Sequence, residues 1–152
     1  MLNPDKIISW IKNLDIVGSQ RVIAGIDEDD CAVIVVKSDS KIIITTDYLN
    51  SNPIAIQEGI GGYWDLGRLL VAANLADLYG SGAEPIGFLA GIMMKKPAEE
   101  KQFKEILRGI IYELNLARVP LIGGDSKLGN QNSFLGTAIG VERPNSKLFL
   151  KN

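Results

Sequence analysis

Aspartates recur in this sequence at the borders of its apolar segments, where packing alone does not require them. Asp29 and Asp30 precede one apolar run, Asp47 ends the next, and Asp125 follows two glycines. Carboxylates gathered without histidine or thiolate form a hard-oxygen site, the kind that holds Mg²⁺ together with substrate phosphates. Each of these four aspartates is also a common turn residue, so an ordinary solvated turn stays open at each position.

Asp77 differs from these four because it lies inside a largely apolar stretch, residues 69–78. Asn74 precedes it by three residues, and this spacing places both polar side chains on one edge of a predicted helix. A buried carboxylate without a partner costs several kcal/mol or changes its protonation state. We therefore expect a metal or a hydrogen-bond network to meet Asp77.

Glycines next to Asp125 would let a ligand approach the backbone closely. Gly123 and Gly124 offer main chain that can contact phosphate, although isolated glycines are a weak signal. Lys127 lies two residues beyond Asp125 and is either a phosphate contact or a solvated lysine. The sequence contains no Gly-x-x-x-x-Gly-Lys-Ser/Thr motif, so any nucleotide site is of another type.

The composition excludes several kinds of chemistry. The 152 residues contain no histidine and a single cysteine, Cys31, which rules out a Ser-His-Asp triad, a zinc finger and a disulfide within the chain. Sixteen basic and eighteen acidic residues give a net charge of −2, so nucleic acid is not an expected partner. We also find no signal peptide and no run long enough to span a membrane, and expect a cytoplasmic protein.

Hydrophobic periodicity predicts two long helices interleaved with strands. The stretches 18–25 and 51–62 read as loops. Strands 32–36 and 41–47 are expected to form a β-hairpin. The remaining predicted elements are an N-terminal helix within 3–14, a helix over 65–79, a strand over 86–94, a helix from Pro97, and strands over 119–122 and 134–141. This order predicts an α/β (α+β) fold, a ferredoxin-like ββαβαββ layered sandwich with helices on one face of a mixed sheet.

The other face of this sheet is expected to be covered as well. Residues 33–36 and 42–44 are apolar at consecutive positions, whereas a strand with one solvated face alternates apolar and polar residues. A second copy of the chain is the expected cover, which predicts a homodimer through the sheets. The N-terminal helix is the alternative cover for part of this face.

Four ordered segments together resemble one protein family. The sequence is similar to the N-terminal, ATP-binding domain of the aminoimidazole ribonucleotide synthetase (AIR synthase) superfamily, and most like the thiamine-monophosphate kinases, with HypE and selenophosphate synthetase as relatives. The segments are Asp29-Asp30-Cys31-Ala32-Val33-Ile34, Thr45-Thr46-Asp47, the stretch 74–85, and Gly123-Gly124-Asp125-Ser126. In the last of them, serine replaces the threonine of the family.

This resemblance implies a ligand set. It makes five aspartates the ligands of Mg²⁺ or Mg²⁺–ATP, namely Asp29, Asp30, Asp47, Asp77 and Asp125. Asn74 would support the helix aspartate or touch phosphate, and Ser126 would belong to the nucleotide site beside Gly123, Gly124 and Lys127. The resemblance also implies that two copies pair their sheets into a barrel, with ATP near the dimer interface.

We expect one AIR-synthase-type domain over residues 1–152, with its core at about residues 25–142 and without the usual C-terminal domain. Its expected function is to bind ATP and Mg²⁺ and to support ATP-dependent phosphorylation or activation of a small molecule. The alternative is a non-catalytic nucleotide-binding or assembly module that acts with a separate C-terminal partner. A structural dimer without a ligand is a third interpretation, which leaves five aspartates unexplained.

Overall fold

The computed structural model describes residues 4–26, 28, 31–49, 54–143 and 148–149. Its helices and strands are, in chain order, α1 (Pro4–Ile11), β1 (Val22–Ala24), β2 (Val33–Ile34), β3 (Ile42–Leu49), α2 (Ile54–Gln57), α3 (Tyr63–Ser81), β4 (Ala83–Lys95), α4 (Glu100–Ala117), β5 (Leu121–Gly129) and β6 (Ser133–Glu142). None of the helices in these residues is both long enough and apolar enough to cross a membrane.

A four-stranded mixed sheet with the order β3-β6-β4-β5 forms the centre of the fold. Strand β6 is antiparallel to both of its neighbours, and β4 and β5 are parallel. Parallel neighbours need a crossover connection, which α4 provides. The core lies between α3, α4 and one face of the sheet, around Phe88, Phe103 and Phe134. The predicted two-layer α/β fold is confirmed.

Local features of the sequence determine both ends of α3 and its close contact with α4. Asp65 Oδ2 accepts a hydrogen bond from the Gly62 backbone N–H at 2.9 Å at the start of α3. Gly82 ends α3 in the left-handed conformation, with φ of 83°, which glycine adopts most readily at a helix C-terminus. Within the helix pair, a Cβ on Gly67 would lie 2.1 Å from the Ile106 carbonyl oxygen. Glycine therefore lets the two helix backbones touch.

The predicted hairpin between the first two strands is wrong. Strand β2 pairs with β1, which lies in the stretch expected to be a loop, and β3 pairs with β6 instead. Pairing with β6 brings β3 into the main sheet, where its inner face packs against α3. A local hairpin would not bury that face, so the long-range pairing stabilises the fold more. The second expected loop contains the short helix α2.

Two strands continue further than their apolar runs indicated. Asp47 lies inside β3, and β5 runs through the Gly-Gly-Asp segment as far as Gly129. The reason is the length of the neighbouring strands. Strand β6 pairs with β3 as far as Leu49, and β4 pairs with β5 as far as Gly129. The candidate aspartates of these strands are thus held in regular β-structure instead of in turns after it.

The sheet face opposite the helices carries exposed apolar side chains. Along β3, Ile42, Ile44 and Tyr48 are exposed, while the alternate residues face α3 and are half-buried. Helix α1 lies elsewhere, since the Trp10 ring is 5.1 Å from Lys104 Nζ on α4. Among the described residues, the N-terminal helix does not cover this open face.

Candidate functional site

Asn74 on α3 is fully buried and connects the helix to the edge strand β3. Its Oδ1 accepts a hydrogen bond from the Asp47 backbone N–H at 3.1 Å. Its Nδ2 donates to the Leu70 carbonyl at 2.9 Å, one turn earlier in the same helix. Gly136 on β6 leaves space for this carboxamide, because a Cβ there would lie 2.3 Å from Nδ2. Both ends of the Asn74 side chain are therefore used within the protein.

Asp77 lies one helical turn beyond Asn74 and is exposed, so its expected burial is wrong. The Thr45 hydroxyl donates a hydrogen bond to Asp77 Oδ2 at 2.9 Å. The physical reason for the exposure is the position of β3 at the edge of the sheet, because this side of α3 meets solvent there. The hydrogen-bond partner expected for Asp77 is present, and its other carboxylate oxygen accepts no hydrogen bond from the described residues.

Asp47 carries a half-buried carboxylate on the same side of β3 as Thr45. In the described part of the chain, no donor makes a hydrogen bond to its side-chain oxygens. Because Thr45 and Asp47 alternate with residues of the open face, both lie on the face that packs against α3. The structure thus brings together Asp47, Asp77 and Thr45, with Asn74 beneath them. The Thr-Thr-Asp segment was noted in the sequence, but the contact of Thr45 with Asp77 depends on helix packing and was missed.

Asp125 lies on the other side of the molecule, near the opposite edge of the sheet. Cα pairing places Tyr48, Leu135, Gly91 and Asp125 in one row across the four strands. Asp47 belongs to the neighbouring row, and neighbouring rows face opposite sides of a sheet. Three strand spacings amount to about 14 Å. Within one chain, Asp125 therefore does not meet Asp47 or Asp77.

Lys127 forms an ion pair with Asp125 on this open face. Its Nζ lies 2.7 Å from Asp125 Oδ2, and both side chains are about two-thirds exposed, at 67% and 63%. The hydrogen bond from the ammonium group holds the pKa of Asp125 below its usual value, and the same bond raises the pKa of Lys127. Lys127 therefore neutralises the charge of Asp125 as long as the two side chains are paired.

A groove of about 750 Å³ runs along the free edge of β5, between this strand and α1. Its apolar part includes Ile7, Ile11 and Leu107. Its polar part includes Glu28, Gly123, Gly124, Asp125 and Ser126. Sequence reasoning missed Glu28, whose Oε2 accepts a hydrogen bond from the Gly25 backbone N–H at 2.8 Å. The groove combines an apolar wall with backbone that a phosphate can approach.

Gly124 has a structural role as well as a place in this groove. Its φ is 155°, and a Cβ there would lie 2.1 Å from the Ala90 carbonyl oxygen on β4.

Asp29 and Asp30, the first pair of predicted ligands, lie outside the described residues. Among those that are described, no three acidic, cysteine or histidine side chains come close enough to hold a metal ion by themselves.

Residues 28–141 match the family model of AIR synthase related protein, N-terminal domain. This chain belongs to that family. The AIR synthase domain is 32% identical to thiamine-monophosphate kinase of Methanocaldococcus jannaschii over 137 residues, which is 90% of this chain and 42% of the relative. It is 31% identical to phosphoribosylformylglycinamidine cyclo-ligase of Pyrococcus furiosus over 104 residues, 66% of this chain and 30% of that protein.

Solved structures agree with this assignment. Thiamine-monophosphate kinase from Stenotrophomonas maltophilia superposes with a TM-score of 0.70 at 25% identity, and the match covers 95% of this chain and 42% of the other. Hydrogenase maturation protein HypE in complex with ATP superposes with a TM-score of 0.71 at 18% identity, with the same coverage, and supports the fold alone. The AIR synthase domain therefore spans less than half the length of these two proteins.

Proposed function

We propose that this AIR synthase domain binds Mg²⁺–ATP and supports ATP-dependent phosphorylation or activation of a small molecule. The observation that carries the proposal is the pair Asp47 on β3 and Asp77 on α3, which lie at one edge of the sheet and have carboxylate oxygens that accept no hydrogen bond from the described residues. Relatives point the same way, since one solved thiamine-monophosphate kinase is a complex with AMPPCP and TMP, and a solved HypE is a complex with ATP.

The donor atoms at this edge fit Mg²⁺. This ion prefers oxygen ligands and is usually bound through one or two carboxylates together with water and substrate phosphates. The Asp47 carboxylate and the second oxygen of Asp77 would supply such donors at this edge. Bound Mg²⁺ would neutralise phosphate charge. We propose Asp29 and Asp30 as further ligands, as the family resemblance implies.

The placement of Asp125 supports a homodimer. Ile42, Ile44 and Tyr48 expose apolar surface on the open face, which a second sheet would bury. Suppose that the two open faces pack against each other, with the two-fold axis between them and parallel to the strands. Because β3 and β5 are the two edges of the sheet, β3 of one copy then faces β5 of the other. Asp125 of one protomer then approaches the edge that carries Asp47 and Asp77 of its partner. We propose that the five-aspartate site is completed in this way.

The nucleotide's phosphates are proposed to lie against the β5 edge, where the backbone of Gly123 and Gly124 and the hydroxyl of Ser126 border the groove. Lys127 would contact phosphate only after it leaves Asp125. Phosphoryl transfer depends mainly on positioning and on charge stabilisation, so carboxylates, backbone groups and a cation can support it without histidine.

Calorimetric titration of ATP with and without Mg²⁺ tests the proposal. We expect the wild type to bind ATP in a Mg²⁺-dependent manner and Asp77→Asn to weaken that binding strongly. Glu105→Gln is the matched control, because it removes a half-buried carboxylate on α4 that pairs with Arg108. Equal affinity of Asp77→Asn and wild type would contradict the metal-ligand assignment.

A nucleotide-binding or assembly module is the second candidate. The observation that favours it is coverage, because the domain spans 42% of the thiamine-monophosphate kinase it matches. The solved HypE–HypF complex shows a relative that assembles with another protein. ATP binding without ADP release, across candidate acceptors and with an added C-terminal-domain protein, would favour the module over the enzyme.

A further inference from the structure

Asn74 is the one polar side chain that is fully buried among the residues the structure describes. Burying a carboxamide is costly unless its donor and acceptor are both bonded, and here both are. A helix built for packing alone would carry an apolar residue at this position. The presence of a bonded carboxamide at this buried position therefore indicates a role for the contact with the Asp47 backbone.

Two contacts tie α3 to the edge strand. Asn74 accepts a hydrogen bond from the Asp47 backbone N–H, and three residues later Asp77 accepts one from the Thr45 hydroxyl. Thr45 and Asp47 are two residues apart and share a face of β3. The two contacts form successive links between the same helix and strand, so they set where the Asp47 and Asp77 carboxylates lie relative to each other.

We infer that Asn74 is a positioning residue for the proposed metal–nucleotide site, acting through Asp47 without touching the ligand. The inference rests on the proposed function. Asn74 has no exposed surface, so a bound ligand does not reach its side chain. Gly136 belongs to the same arrangement, because any larger residue there would displace the carboxamide.

A double-mutant cycle on Mg²⁺–ATP affinity tests this inference. We expect Asn74→Ala to weaken binding by about 10- to 100-fold, the range seen when a residue that orients a metal ligand is removed. In an Asp47→Asn background, Asn74→Ala should have little further effect on the affinity, because the carboxylate that Asn74 positions is already absent. Mn²⁺ alone, followed by its EPR signal, gives a readout without nucleotide or turnover.

Leu114→Ala is the control for a loss of stability, since it empties buried volume on α4, a helix that carries neither of the two contacts. It should leave the affinity of the folded protein unchanged. If Asn74→Ala does not fold, Asn74→Ser and Gly136→Ala are measured in its place. Unchanged affinity in a folded variant, or full additivity with Asp47→Asn, would overturn the inference while leaving the proposed function intact. Absence of Mg²⁺–ATP binding by the wild type would overturn both.

Discussion

The Thr45 hydroxyl donates a hydrogen bond to Oδ2 of Asp77 at 2.9 Å, joining the edge strand to the helix across 32 positions of sequence. Thr45→Val removes this donor at nearly constant volume. We expect weaker Mg²⁺–ATP binding, because Asp77 loses its fixed orientation, and a stability change of no more than about 1 kcal/mol, because the bond is exposed. Calorimetry and urea unfolding measure the two effects. Thr45→Ser keeps the hydroxyl and should retain near-wild-type affinity; an equal loss in both variants would contradict the role of the bond.

Gly67 should not tolerate even one methyl group. Its Cβ would lie 2.1 Å from the Ile106 carbonyl oxygen, so Gly67→Ala must push α3 and α4 apart. Overpacking of this kind costs about 1–3 kcal/mol or more, which urea unfolding would show. Gly80→Ala is the control in the same helix, since nothing lies within 4 Å of its Cβ. It should be neutral or stabilising, and a similar loss in both variants would show that helix contact is not the cause.

Ile44→Asp should prevent the proposed dimer. Ile44 is 64% exposed on the open sheet face, and a carboxylate there would be buried without a partner in a sheet-to-sheet interface. Sedimentation analysis of the wild type should show a dimer, and the variant should be monomeric. Leu116→Asp is the matched control, because Leu116 is 63% exposed but lies on α4. Dissociation by Leu116→Asp alone would locate the interface on the helical layer.

The Asp125–Lys127 pair predicts a shifted titration. The Lys127 ammonium group lowers the pKa of Asp125 in the folded protein. The contribution of this pair to folding stability is therefore present above the unfolded-state pKa of Asp125, and it is lost as the pH falls through the folded-state pKa. Lys127→Met should raise the Asp125 pKa toward the ordinary aspartate value of about 3.9. Carboxyl ¹³C NMR titration measures it, and 1 M salt should act in the same direction on this exposed pair. Lys41→Met, which breaks the ion pair of Lys41 with Glu142, should leave the pKa of Asp125 unchanged.

The sequence by itself predicted most of the helices and strands of the main sheet. The spacing of Phe103, Ile106, Leu107 and Ile110 predicts α4, and Gly82 predicts the end of α3, because burial repeats every three to four residues and a left-handed cap favours glycine. Residue types alone also indicated the aspartates as candidate hard-oxygen donors, and they excluded a Ser-His-Asp triad and a zinc finger.

Only the tertiary structure decided which of those donors meet. Strand β3 pairs with β6, about 90 positions away, so Asp47 shares a face with Thr45 while Asp125 lies on the other face and the other edge. The same packing exposes Asp77 and buries Asn74. Local periodicity reports on neighbours within a few residues, whereas strand order and register depend on the total surface that the whole chain buries.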